Sequence, residues 1–359
     1  MKNKVFKRIL VSVGVLLALV ILLAGGMLIF WSVTTLEVKD TEAMEIHGSS
    51  AQKVDTGREI RILTWNIGYG ALDEKQDCYF DGGKGVGGES SQIVQQNIDA
   101  IRNKIKEIDP DIFCLQEIDL DSKRSYYLDE LSAFRESFSE NTYQDSFACN
   151  FKTGFVPIPL YNPTGKVNAG ISTFSKFRVT SSTRVQLPIP FKWPVSMINL
   201  KRCLLVNRCP VSFSDKELVM INLHLEAYDD GEGKVRQLKQ LMDIMKEESQ
   251  KGNYVIAAGD FNQTFSNTDF SKYPKIDEWE CPVIDVNDYP DFTFGMDDQT
   301  PTCRSLSKAY SGSDKQTFQY YMIDGVITGK NITINHLETL DLGFKNADHN
   351  PVVISVTLH

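Results

Sequence analysis

The chain has 359 residues, 42% hydrophobic and 24% charged, with 24 glycines, 13 prolines and a formal net charge of −9. These proportions exclude wholesale disorder and collagen-like or proline-rich repeats. The acidic balance excludes a broad basic nucleic-acid footprint, though not a small local anion site.

The charge is unevenly spread. The first 31 residues carry Lys2, Lys4, Lys7 and Arg8 and no acid, which leaves 34 basic against 47 acidic residues, −13, for the rest. Residues 1–8 read as a basic stub, cytoplasmic by the positive-inside rule. Residues 9–31 follow without a charge. As a helix they span about 34 Å, enough for a hydrocarbon core of about 30 Å. Trp31 stands at the far edge, where aromatic side chains anchor a span. The pattern predicts one transmembrane anchor in the cell membrane, with the remaining chain extracytoplasmic. The alternative is a cleaved signal peptide and a secreted domain. Ala24, Gly25 and Gly26 supply small residues for cleavage, but the apolar run continues past them. Residues 32–56 are polar and read as a linker, with His47 exposed and idle.

Residues 57–359 read as one domain without internal repeats. Residues 61–67 form a strand ending in a polar group. Ile98, Ile101, Ile105 and Ile108 recur at helical spacing, and Pro110 stops that helix. Residues 111–117 are an apolar run ending in Glu117, and 168–175 contain a second such run. Residues 218–225 form a strand carrying His224. Val235, Leu238, Met242 and Met245 mark an amphipathic helix, and 254–260 form a buried strand ending in Asp260. Strands at 320–328, 332–340 and 351–358 close the chain. Seven cysteines without a C-x-x-C pair are too few for a disulfide-built fold or a structural zinc site. A Cys203–Cys209 pair stays open.

One feature recurs. An apolar strand ends, and Asn66, Glu117, His224, Asp260 or Asn262 follows at its end. Strand ends are where a rigid scaffold presents working side chains. Glu117 with Asn66 offers hard oxygen ligands suited to Mg²⁺, Mn²⁺ or Ca²⁺. Asp260 and Asn262 project to one side if the chain is extended there. They suit a water-orienting base beside an amide that holds an oxyanion. His224 and His349 add imidazoles, Asp324 an orienting carboxylate, and Asp348 a further acid. Together they fit metal-assisted hydrolysis of a phosphate ester.

Six segments carry a resemblance: Leu63-Thr-Trp-Asn-Ile67, Asp111-Ile-Phe-Cys-Leu-Gln-Glu117, Ile221-Asn-Leu-His-Leu225, Gly259-Asp-Phe-Asn262, Tyr321-Met-Ile-Asp324 and Ala347-Asp-His-Asn-Pro-Val352. In this order they resemble the endonuclease/exonuclease/phosphatase superfamily over roughly residues 60–357. The resemblance implies an α/β (α+β) four-layer sandwich of two packed mixed β-sheets flanked by helices, here preceded by the transmembrane helix. It implies that Glu117 and Asn66 hold Mg²⁺ (Mn²⁺ or Ca²⁺ as substitutes), with Asp348 at a second or shifting metal position. Asp260 and Asn262 would position water and the scissile phosphate. His224 and His349 would bind phosphoryl oxygens, with Asn168 as a further phosphate contact. Asp324 would orient His349. The general base is Asp260 or the Asp324–His349 pair.

Lys201, Arg202 and Arg208 are candidates for the basic rim a nuclease needs. The glycine-rich stretch 83–88 lacks the preceding strand of a dinucleotide fingerprint and reads as a loop bordering the site. Residues 151–163 and 187–198 mix prolines with apolar side chains, and Phe191 and Trp193 would touch a membrane if exposed. The expected function is a membrane-anchored, extracytoplasmic, metal-dependent phosphodiesterase acting on nucleic acid or a lipid head group, with no stable protein partner. A phosphomonoesterase on inositol or sugar phosphates is the first alternative. A non-catalytic binding module on the same fold is the second.

Overall fold

The computed structural model describes the chain except Met1, 139–141, 230, 274, 277–278 and 312–317, and the side chains of residues 2 and 3. Helix α1 (Lys2–Thr34) precedes strands β1 (Thr41–Ala43) and β2 (Ile46–His47). Next come β3 (Glu59–Asn66), α2 (Ser91–Ile108), β4 (Ile112–Asp119), α3 (Glu130–Phe138), β5 (Gln144–Val156) and β6 (Gly165–Ser175). They are followed by β7 (Ser181–Gln186), β8 (Cys203–Pro210), β9 (Glu217–His224), α4 (Glu232–Gln250) and β10 (Tyr254–Asp260). Short strands β11 (Thr264–Phe265), β12 (Val283–Ile284), β13 (Phe292–Gly295), β14 (Cys303–Arg304) and β15 (Tyr320–Tyr321) lead to β16 (Asp324–Gly329). Strands β17 (Ile332–Thr339) and β18 (Val352–Leu358) end the chain.

Two seven-stranded mixed sheets result, in the orders β17-β18-β3-β4-β6-β5-β2 and β1-β7-β8-β9-β10-β16-β13. Each contains one parallel pair, β3–β4 and β9–β10. A parallel pair needs a long crossover, and α2 and α4 supply the two crossovers. Helices α2 and α3 cover the first sheet with Ile98, Ile101, Ile105 and Phe134, and α4 covers the second with Leu238, Leu241, Met242 and Met245. Ile62, Ile112, Met220, Ile256 and Ile354 fill the space between the sheets. This is the expected four-layer sandwich. Val235 departs from its expected face and is 66% exposed, while Leu241 is buried in its place.

Period-two alternation then sets the site. Along the inner faces run the rows Ile62-Thr64-Asn66, Met220-Asn222-His224 and Ile256-Ala258-Asp260. Each begins apolar and turns polar at its carboxyl end. Strands β3 and β4 pack across β9 and β10, so these ends converge. Beneath them Gln116 Nε2 donates to Asn222 Oδ1 (2.8 Å), and Asn222 Nδ2 donates to Leu115 O (3.2 Å) and Ser172 O (2.8 Å).

The linker reading of 32–56 is corrected. Strand β1 adds to one sheet edge on β7, and β2 adds to the other sheet on β5. Val54 is fully buried and bridges Val211. His47 pairs in register with Asp145, and its ring lies 3.5 Å from Glu45. Edge strands are short and polar by necessity, which is why composition hid them.

Helix α1 is longer than the predicted 9–31, and its segment Lys4–Thr34 is long and apolar enough to cross a membrane. Its residues 4–24 are exposed, but its carboxyl end is docked. Trp31 Nε1 donates to Phe155 O (2.7 Å), and Leu36 N donates to Lys152 O (2.9 Å). Lys201 Nζ donates to Thr35 Oγ1 (3.2 Å) and to Leu36 O. Gly154 permits the contact, since a Cβ there would sit 2.5 Å from the Phe30 ring.

All seven cysteines are free thiols. Cys203 and Cys209 open and nearly close the same strand, β8, about 20 Å apart at ~3.3 Å per residue, too far for a disulfide. Arg208, read as a rim candidate, instead donates to Glu248 through both Nη atoms (2.7 and 3.1 Å) and to Glu217 (2.9 Å). Burial raises the Glu248 pKa, but donors from Arg208, Lys251 and Asn253 outweigh it and bring it down to about 2. A depressed carboxylate stabilises the fold above its unfolded pKa and stops doing so as pH falls through the folded one. Glu248→Gln should therefore melt about 3 °C lower at neutral pH. Thermal melts should show that gap closing between pH 4.5 and 2. A gap that persists undiminished at the acid end would refute the assignment.

Candidate active site

Asp260 occupies the centre. Strand β10 places it in register with His224 on one side and Asp324 on the other. Its Oδ2 accepts from Asn66 Nδ2 (3.1 Å) and lies 3.3 Å from His224 Nε2 and 3.8 Å from His349 Nε2. Its Oδ1 accepts from Asn262 N (2.9 Å). Gly259 lets β10 press against β9 here, because a Cβ would meet Leu223 O at 2.0 Å. Asn262 lies in the left-handed region (φ 51°) with Nδ2 donating to Leu225 O (2.9 Å). Its second amide N–H stays available.

Glu117 arrives by a different device. Leu115 and Ile118 both face the helical layer, three residues apart, so one extra residue is inserted between them. The β4–β6 register shifts at that point, and Glu117 takes φ 57°. A bulge re-aims a side chain in this way. Regular alternation would have sent Glu117 under the helices. Instead it reaches the cleft, 24% exposed, with Oε1 accepting from Asn66 Nδ2 (3.2 Å) and lying 3.9 Å from His224 Nε2.

The two imidazoles differ. Burial and the nearby Arg202 and His349 hold His224 well below its ordinary pKa, which favours the neutral ring. Burial also opposes charge on His349, but Asp324 overrides it and raises the pKa well above the ordinary value. His349 Nδ1 donates to Asp324 Oδ2 (2.8 Å), which leaves Nε2–H facing Asp260. Trp65 Nε1 donates to His349 O (2.9 Å) and fixes that backbone. Burial, then Asp324, pushes Asp260 up to about 7. Asp348 is likewise pushed up to about 7 by burial and then by Glu117, against His349. Its Oδ1 is buried without a partner.

Asn66, Glu117, His224, Asp260, Asn262, Asp348 and His349 line one cleft of about 790 Å³. Asp324 stands behind His349 as its orienting group. Asn168 is not brought in. Cys149 Sγ donates to its Oδ1 (3.6 Å), its carbonyl accepts from Leu120 N (2.8 Å), and Asn150 lines the cleft instead. Alternation along β6 sets that outcome, since Val167 and Ala169 share the opposite face and Ala169 lines the cleft.

Sequence reasoning missed several cleft residues. Arg124 stacks on Tyr69 (3.7 Å) and pairs with Asp119 (2.9 Å). Tyr228 Oη donates to Asp81 Oδ1 (3.2 Å), joining two loops at the cleft, and Gly82 brings the glycine-rich loop to its border. Of the three rim cations, only Arg202 lines the cleft. It is nearly fully buried, with Nε 3.8 Å from Glu226 and with Nε and Nη1 making no hydrogen bond. Its place just before a strand was the one available signal.

Among the described residues, ligand-type atoms gather within 4.8 Å in two sets, Cys303-Asp348-His349 and Asp260-Asp324-His349. Glu117 belongs to neither, but its charge reaches Asp348. Hard oxygen donors, an unpartnered buried carboxylate oxygen and two crowded acids fit a divalent cation of the Mg²⁺ type.

A search of curated protein sequences finds no match. Solved structures share the fold. An endonuclease/exonuclease/phosphatase from Beutenbergia cavernae aligns with TM-score 0.57 and 17% identity over 84% of this chain and 72% of that one. One from Bacteroides vulgatus aligns with TM-score 0.54 and 15% identity over 84% and 100%. The human Nocturnin catalytic domain with bound sulfate aligns with TM-score 0.51 and 15% identity over 88% and 98%. The sequence signature of the endonuclease/exonuclease/phosphatase family matches residues 63–319. On that match, with the six segments in order and the converging strand ends, the chain belongs to the endonuclease/exonuclease/phosphatase family of phosphoester hydrolases.

Proposed function

We propose that the chain is a membrane-anchored, extracytoplasmic, divalent-metal-dependent phosphodiesterase. One observation carries the reading: Asp260 Oδ2 lies within 3.1, 3.3 and 3.8 Å of Asn66, His224 and His349. That is a carboxylate among donors, backed by an oriented imidazolium. Glu117 and Asp348, with Asn66, are the residues that would hold Mg²⁺ or a substitute. When bound, the cation supplies Lewis-acid polarisation of a phosphoryl oxygen.

The chain's own groups supply the rest. Asp324 turns His349 into a donor whose Nε2 faces Asp260, and Asp260 is the base that takes the proton of the attacking water. His349 Nε2–H and the second N–H of Asn262 face developing negative charge on the phosphoryl oxygens. Water's oxygen bonds to phosphorus and one P–O ester bond breaks. The leaving alkoxide takes a proton from His349 or solvent, giving an alcohol and a monoester. A diester fits the cleft's extent, which continues past the cluster along Phe151, Val156 and Leu200 and accommodates a second esterifying group.

The full-length chain in detergent micelles with Mg²⁺ or Mn²⁺ should hydrolyse bis(p-nitrophenyl) phosphate at least about tenfold faster than p-nitrophenyl phosphate. The reverse preference would establish the monoesterase. Binding of either ester without turnover would establish the non-catalytic module. Protease treatment of intact cells should remove the domain, and protection from it would overturn the extracytoplasmic placement.

A further inference from the structure

The docked end of α1 ties the spanning helix to the cleft itself. Trp31 and Leu36 bond to Phe155 and Lys152, within five residues of Phe151 and Val156 in the cleft wall. The same helix touches the turn at Val195–Ile198, which lines the cleft from the opposite segment. No slack tether separates membrane and site.

The two segments flanking this junction carry exposed apolar side chains. Ile158 is 38% exposed, Leu160 86%, Tyr161 67%, Trp193 67% and Val195 49%. Ile158 and Val195 also line the cleft, so its mouth and the end of the span share one apolar rim. A clustered apolar rim is uncommon on a soluble surface, and Trp and Tyr favour the head-group layer. A nucleic-acid rim would be basic. Here Lys201 is consumed by the α1 junction, Arg208 by Glu217 and Glu248, Arg124 by Asp119 and Lys123 by Asn162 and Pro163, Arg202 lies buried inside, and Lys192 stays exposed beside Trp193.

We infer that this rim sits in the head-group layer of the membrane that α1 spans, and that the cleft takes its substrate from that leaflet: a lipid whose head group contains a phosphodiester. The inference rests on the phosphodiesterase reading and deepens it. The lipid's apolar part stays along the rim while its phosphate reaches Asp260 and His349. Hydrolysis follows the balance given above, with water adding to phosphorus and one ester oxygen leaving as an alcohol.

The test uses the full-length chain reconstituted into vesicles of phosphatidylcholine and phosphatidylglycerol with Mn²⁺. Lipid cleavage is followed by phosphorus NMR, and turnover of bis(p-nitrophenyl) phosphate is measured on the same vesicles. The wild type should cleave lipid. Leu160→Asp with Trp193→Asp should lower the ratio of lipid to soluble-diester turnover by roughly tenfold or more. An unchanged ratio overturns the inference. So does turnover of the soluble diester with both lipids intact, and cleavage of an added DNA or RNA oligomer in that case identifies a nuclease. Loss of soluble-diester turnover in the wild type marks failure of the phosphodiesterase reading itself and removes this inference with it. Should the double variant not fold, Trp193→Phe gives a second readout. Brominated lipids should quench the wild type more than this variant, and equal quenching overturns the rim's placement.

Discussion

Asp260→Asn should lower kcat on a soluble phosphodiester about a thousandfold and change KM little. The substitution keeps shape and removes the charge that, on the proposed mechanism, takes water's proton. It also turns an acceptor facing Asn66 Nδ2 and His224 Nε2 into an amide that satisfies both only in one flip. Stability should move the other way. Burial and Asp324 penalise the Asp260 charge, so the fold bears a cost that the neutral amide relieves. The variant should melt no lower than the wild type. Steady-state kinetics with parallel thermal melts decide the matter. A variant retaining more than about a tenth of wild-type kcat would move the base role to the Asp324–His349 pair.

Glu117→Gln should raise the Mg²⁺ concentration needed for half-maximal activity by about 10–100-fold, with partial recovery of kcat at saturating metal. Glu117 is the most accessible carboxylate of the cluster and sits on a bulge that exists to present it. Its neighbour Asp348 is raised by burial and by Glu117, so a cation beside them relieves repulsion as well as gaining ligands. The amide keeps one oxygen donor and loses the charge. A chelator should abolish wild-type turnover, and added Mg²⁺ or Mn²⁺ should restore it. An unaltered metal titration in the variant, measured by activity or calorimetry, would remove Glu117 from the metal site.

The strands and most of the site were legible because both follow from alternation. Asn66, His224 and Asp260 end inner-face rows, and the apolar residues before them announce the rows. Glu117 was legible as the acid ending an apolar run, but its route into the cleft was not visible, since a bulge changes register without changing composition. Asn168 stays out of the cleft because Val167 and Ala169 take the face beside it, and alternation turns its side chain the other way. Arg124 and the Tyr228–Asp81 link come from remote segments whose approach no local pattern encodes. The docking of α1 depends on a bare Gly154 opposite Phe30, a contact spanning more than a hundred residues.

The amides beneath the site have a consequence of their own. The candidate site is split between two sheets, with Asn66 and Glu117 on one and His224 and Asp260 on the other, so sliding one sheet over the other would take it apart. Gln116 and Asn222 cross that gap with hydrogen bonds to each other and to Leu115 and Ser172 carbonyls. Each bond broken by a slip strands a buried polar group at about 1–3 kcal/mol. The pair therefore works as a registration pin, keeping Asn66 and Asp260 in step across the interface, with Ser146 and Asn207 pinning it a second time farther along.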